Sequence, residues 1–70
     1  MNHKIQINLN EQRYYITNSV TLIDFLLYLN YNVSLIVLEY NKKIIPKAKW
    51  KTTFLNSNDQ IETITIVGGG

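Results

Sequence analysis

The chain contains no cysteine, which removes disulfides, thiolate metal sites and a cysteine nucleophile. Any sulfur chemistry must therefore take place on something other than a side-chain thiol. The one histidine, His3, has no ligand-type neighbours in sequence, so no metal site and no histidine-based catalysis is expected of it. Arg13 is the only arginine, which leaves no set of guanidinium groups for reading bases. The three glycines are Gly68, Gly69 and Gly70, so no glycine loop stands before a helix to cradle a phosphate. No apolar run approaches the length of a membrane span, and Met1-Asn2-His3-Lys4 lacks the apolar stretch of a secretory leader. These absences argue against an intrinsic enzyme, a nucleic-acid reader and a membrane protein. A soluble intracellular protein is expected.

What is present suits one small domain. The 70 residues are 46% hydrophobic, enough for a core and too apolar for a disordered chain. The net charge is +2, and the positive residues gather at Lys42, Lys43, Lys47, Lys49 and Lys51, a pattern expected of a solvated rim. Asn, Ile, Lys and Tyr are abundant. That bias accompanies AT-rich coding sequence and suggests a plastid stroma or a bacterial cytoplasm.

Lys4-Ile5-Gln6-Ile7-Asn8-Leu9 alternates strictly, which predicts a strand with Ile5, Ile7 and Leu9 on one face. Asn10-Glu11 turns the chain into a returning strand, Gln12 to Ile16, and completes a hairpin. Thr21 fits a helix N-cap, with Asp24 three positions on to reciprocate. Leu22, Phe25, Leu26 and Leu29 form the helix's apolar stripe, which fades at Asn30-Tyr31-Asn32. Val33 to Tyr40 reads as a central strand, Ile44-Ile45 as a short strand closed by Pro46, and Lys47 to Trp50 as one helical turn. After the turn cluster Asn56 to Asp59, the run Ile61 to Val67 is the final strand and leads into the glycines.

A lone helix must bury its stripe, and a small sheet needs one face covered. The economical arrangement is α+β: a mixed four- to five-stranded sheet with the helix packed across it, the β-grasp or ubiquitin-like fold. Residues 1–67 are expected to form this domain, and 68–70 a flexible C-terminal tail. Three terminal glycines add nothing to a core, whereas a tail without side chains can thread a narrow active site and present its carboxylate.

Within Leu35-Ile36-Val37-Leu38, a sheet covered on one face buries only alternate residues. Either Leu35 and Val37 or Ile36 and Leu38 are then left over, to form a patch for docking on partners or to be covered by the short strands and the loop. Trp50 serves either as a partner anchor or as packing under the Pro46 loop. Asp24 and Glu62 read as a helix cap and a strand-face charge rather than as a catalytic carboxylate pair.

Taken in order, Thr21-Leu22-Ile23-Asp24-Phe25-Leu26, Glu39-Tyr40-Asn41-Lys42-Lys43-Ile44-Ile45-Pro46, Trp50, Leu55, Asp59, Ile61-Glu62 and Val67-Gly68-Gly69-Gly70 resemble the ubiquitin-like sulfur carriers. They are most similar to the ThiS family of thiamine biosynthesis. Thr63 departs from the aliphatic residue usual there. The resemblance implies a carrier, not an enzyme, with no intrinsic cofactor. A ThiF-like adenylyltransferase using ATP and Mg would activate the Gly70 carboxylate. A sulfur donor such as a cysteine desulfurase would then supply the thiocarboxylate sulfur, for use by a ThiG-like thiazole synthase. Gly68 and Gly69 would let the tail enter those partners' active sites. The alternatives are the small sulfur carriers of molybdopterin synthesis or tRNA thiolation, and a ubiquitin-like protein modifier. No nucleic acid or membrane partner is implied.

Overall fold

In the computed structural model the described residues are 4–66, and they form a β-grasp fold. The first hairpin pairs β1 (Ile5–Leu9) with β2 (Gln12–Ile16). The helix α1 (Leu22–Tyr28) crosses to β3 (Ile36–Tyr40), which pairs with the two-residue β4 (Lys43–Ile44). The last strand is β5 (Asp59–Thr65). Sheet order is β2-β1-β5-β3-β4, with β1 and β5 parallel and the other pairs antiparallel.

Glycine is missing from residues 1–67, so the tight turns are built largely with asparagine. Asn10 and Glu11 (φ 52 and 66) close the first hairpin, and Asn41 and Lys42 (φ 51 and 72) close the second. Positive φ at both central residues is the type I′ geometry, whose twist matches that of paired strands. Asparagine tolerates this left-handed region better than other residues with a Cβ.

Both ends of α1 are set locally. Thr21 Oγ1 accepts from the Asp24 N–H at 3.2 Å, and no reciprocal bond from the Asp24 carboxylate is present among the described residues. At the other end Asn30 (φ 66) stops the helix: its N–H donates to Leu27 O and the Tyr31 N–H to Leu26 O, each at 3.0 Å. This is a Schellman cap with asparagine in the usual glycine position.

The core lies between α1 and the inner sheet face. Leu22, Phe25 and Leu26 from the helix meet Ile7, Leu9, Ile36, Leu38 and Ile61 from the strands, with Leu55 and Trp50 closing one end. Fully burying one such side chain stabilises by roughly 1.5–3 kcal/mol, so this layer holds a domain of this size together. Trp50 is a packing residue: it is buried, and its indole N–H donates to Ile45 O at 3.0 Å. The Lys47 ammonium stands 5.4 Å from the Trp50 ring centre, and the other lysines of the cluster are exposed.

One expectation about β3 needs correction. Val33–Leu35 forms a 3₁₀ turn rather than the start of the strand. Asn32 Oδ1 accepts from both the Ser34 N–H (3.3 Å) and the Ser34 hydroxyl (2.7 Å), a local alternative to extended backbone. As expected, β3 is an interior strand, lying between β5 at the centre of the sheet and the short edge strand β4.

Candidate functional site

The chain reaches its final residues from the middle of the sheet. Strand β5 is flanked by β1 and β3, and the Ile66 N–H still donates to Leu35 O at 2.7 Å. Gly68, Gly69 and Gly70, expected to carry the chemistry, lie outside the described residues, as does His3. What can be built from the residues upward is the surface at the end of β5.

Alternation along β3 and β5 divides their side chains. Ile36 and Leu38 point into the core at 5% and 0% exposure, while Val37 and Glu39 lie on the outer face. The four-residue patch expected over Leu35 to Leu38 is therefore half core: Ile36 and Leu38 cannot form a docking surface, and Leu35 and Val37 remain. Residues further along the chain complete the surface. Val37 stands directly opposite Ile64, and Leu35 is bonded to Ile66 one rung further on. Ile44 of β4 is opposite Glu39, beside the same face. Leu35, Ile44, Ile64 and Ile66 are each about half exposed, between 48% and 59%. Grouped large apolar side chains left half-open on a small domain mark an interaction surface.

Sequence reasoning missed Ile44, Ile64 and Ile66. The signal was present in the period-two pattern of Gln60, Glu62, Ile64 and Ile66, which places one polar and one apolar pair on the face opposite Ile61.

The patch has an acidic border. Glu39 and Glu62 are direct cross-strand neighbours, an arrangement that costs roughly 0.2–1 kcal/mol when unrelieved. Together with Lys42 and Gln60 they line a small hollow. Asp24 stands on α1 and takes no part in this cluster. Among the described residues there is no group of three His, Cys, Asp or Glu side chains able to hold a metal. The surface is suited to recognition, with apolar area next to a negative rim.

Comparison with known proteins agrees with this geometry. The chain is similar to the uncharacterized protein ycf40 of Trieres chinensis, at 50% identity over 62 residues, covering 89% of this chain and 85% of that one. It is similar to the uncharacterized protein ycf40 of Porphyra purpurea at 34% identity over 70 residues, covering 100% and 99% of the two chains. Among solved structures, the thiamine biosynthesis protein ThiS of Geobacter metallireducens superposes with a TM-score of 0.81. The superposition covers 94% of this chain and 100% of that one, and the 17% identity makes it a likeness of fold. The family model described as "ThiS family" matches residues 6–70, so the chain belongs to the ThiS family of ubiquitin-like sulfur carriers.

Proposed function

We propose that this carrier bears its sulfur as a thiocarboxylate on Gly70 and delivers it for the thiazole ring of thiamine. The observation that carries this reading is the position of Ile66. The last described residue sits in an exposed apolar patch, and the glycines that follow it in sequence are the ones a docked partner would meet.

The chemistry resides at the C-terminal carboxylate. A partner adenylyltransferase joins the Gly70 carboxylate to the α-phosphorus of Mg-ATP, releasing pyrophosphate and making AMP the leaving group. Sulfide attack on the acyl carbon expels AMP and leaves the thiocarboxylate. A persulfide instead forms an acyl disulfide, which a thiol must reduce. Either way the carrier is a substrate of its partners, and its fold contributes docking and presentation rather than catalysis. Glycines at 68, 69 and 70 place no Cβ in the way of the reacting carbon. The thiocarboxylate sulfur is a better nucleophile than the carboxylate oxygen it replaces, which suits it for delivery to a thiazole synthase.

The relatives named ycf40, together with the Asn-, Ile- and Lys-rich composition, favour a plastid stroma as the site of action. No helix among the described residues is long and apolar enough to cross a membrane.

The test is intact-protein mass before and after incubation with a ThiF-like adenylyltransferase, Mg-ATP and sulfide. A gain equal to replacing one oxygen by sulfur, lost when Gly70 is deleted, supports the reading. No change with a partner that is active on its own carrier counts against it. Transfer of the tail to a lysine of another protein would instead identify a protein modifier.

A further inference from the structure

The opposite corner of the molecule holds a second surface, independent of the tail. Among the described residues strand β2 is the free edge of the sheet, paired on one side only. In the hairpin closed by Asn10-Glu11, Leu9 pairs with Gln12 next to the two-residue turn and exchanges both bonds with it. Alternation then turns the backbone N–H and C=O of Gln12, Tyr14 and Ile16 towards β1. Those of Arg13 and Tyr15 point outward along the open edge.

Beside that edge runs a groove of about 440 Å³ between the end of β2 and helix α1. Ile16, Val20 and Phe25 line its inner part, and Tyr15 and Tyr28 line it with 58% and 83% of their surface exposed. Phe25 is held there by an edge-to-face contact with Tyr14, whose ring centre is 5.7 Å away. The groove has one charged lining residue, Asp24.

We propose that this edge and groove bind an extended peptide segment of another protein, which adds a strand to β2. Its apolar side chains lie in the groove, and a lysine or arginine meets Asp24. Three observations combine to specify this occupant. Outward-facing backbone groups at Arg13 and Tyr15 offer a ladder that an added strand can pair with. The groove accepts alternate apolar side chains, as an added strand provides. A single carboxylate without a basic neighbour in the lining selects a positive residue and disfavours nucleic acid or an anionic membrane. A second copy of this chain fits less well, because the inward side chains of its own β2, Tyr14 and Ile16, already pack against its core.

Because β5 runs parallel to β1, it ends at the side of the sheet where β1 finishes, whereas Tyr15 and Ile16 pair with Gln6 and Ile5 where β1 starts. A peptide held at β2 therefore leaves the opposite sheet end free for tail chemistry.

The test is a titration of ¹⁵N-labelled protein with the blocked peptide Lys-Val-Ile-Val-Lys. Saturable shifts are expected at Arg13 to Thr17 and Asp24 to Tyr28, with Leu35, Ile64 and Ile66 unmoved. Methylating the peptide nitrogens that face β2 should weaken binding about tenfold or more, and replacing its lysines by glutamate should weaken it by a similar factor. Both changes leave the protein untouched, so neither result depends on a variant folding. Tyr15→Pro removes one outward N–H from an edge position that tolerates proline, and should reduce binding to the level of the methylated peptide. Undiminished binding of the methylated peptide, shifts confined to the Leu35–Ile66 face, or no saturation by about 1 mM peptide overturns the proposal. Concentration-dependent shifts at β2 without peptide overturn it in favour of self-association. Sulfur loading of Gly70 is measured separately and is expected to be unaffected by the peptide, so the two readings fail independently.

Discussion

Asn10 and Thr63, 53 positions apart, are joined by two hydrogen bonds. The Asn10 amide donates to Thr63 Oγ1, and its carbonyl accepts from the Thr63 N–H, both at 2.8 Å. On the other side of the same strand Asn41 plays the matching part. Its side-chain carbonyl accepts from the Gln60 N–H at 2.8 Å, and its amide donates to Asp59 at 3.1 Å. Each asparagine sits in a left-handed turn at the point where a neighbouring strand runs out. Side-chain amides thus stand in for the missing rungs, fixing the register of the strand that leads to the tail. Thr63, where the resemblance implied an aliphatic residue, uses its hydroxyl to accept this bond.

Removing the Asn10 side chain without disturbing its backbone tests the clamp. Asn10→Gly keeps the left-handed turn and should cost about 1 kcal/mol, lowering Tm by roughly 4–8 °C. Thr63→Val, which loses the hydroxyl but keeps the backbone bond, should cost less. Together the two should be less than additive in a double-mutant cycle, because they share one interaction. Strict additivity in thermal unfolding would separate them.

The same turns carry strain that can be relieved. Glu11 (φ 66) and Lys42 (φ 72) occupy the second turn position, where a Cβ is disfavoured and glycine is preferred. Glu11→Gly and Lys42→Gly should each stabilise the fold by about 0.5–1 kcal/mol, after allowing for the greater freedom of glycine in the unfolded chain. Equilibrium urea unfolding measures this directly; a lower midpoint in both variants would refute it.

Tyr40 predicts a response to alkali. Its hydroxyl donates to Asp59 at 2.5 Å, and burial, helped by that bond and the nearby negative charge, pushes the phenol up to about 12. The folded state therefore holds the phenolic proton more tightly than the unfolded state. The resulting stability is fully present below about pH 10 and is lost as pH rises from there towards 12. Unfolding midpoints measured across that range should fall more steeply for the native protein than for Tyr40→Phe. Parallel curves would show that Tyr40 ionises alike in both states.

Which of these features the sequence reveals depends on the range of the interactions behind them. The first hairpin, the Thr21 cap and the Asn30 stop rest on contacts a few residues apart, and all follow from alternation and turn chemistry; alternation also marks the final strand, which begins at Asp59, two residues before the expected Ile61. The place of β5 at the centre, parallel to β1, follows only from the β-grasp arrangement as a whole and from no local pattern, because it depends on pairing with β1 and β3 across the chain. Asp59 illustrates the same limit. It lies in a polar turn cluster, yet it is buried at the start of β5, satisfied by Tyr40, Asn41 and the Asn56 N–H. Two of those partners are 18 and 19 residues away, so no local pattern reports them. The docking face was half legible for a related reason. Alternation requires that two of the four residues from Leu35 to Leu38 be exposed, but only the register with β5 shows which two, and adds Ile64 and Ile66.

That face supplies the sharpest test of the proposed function, because exposure and burial alternate along one strand. Ile64 and Ile66 are half exposed, so Ile64→Asp and Ile66→Asp should leave the fold within about 0.5 kcal/mol of the native protein. Leu38→Ala, one strand away but fully buried, should cost about 2–5 kcal/mol. Adenylation of Gly70 by a ThiF-like partner should show the reverse order. An aspartate in the apolar patch removes docking area and adds charge beside Glu39 and Glu62, so kcat/KM should fall about tenfold or more, chiefly through KM. Leu27→Asp, with 52% exposure on the helix away from the patch, controls for the mere loss of an exposed apolar residue and should leave the reaction unchanged. Equal effects from Leu27→Asp and Ile66→Asp would show that the partner does not read this face, and that the tail alone is recognised.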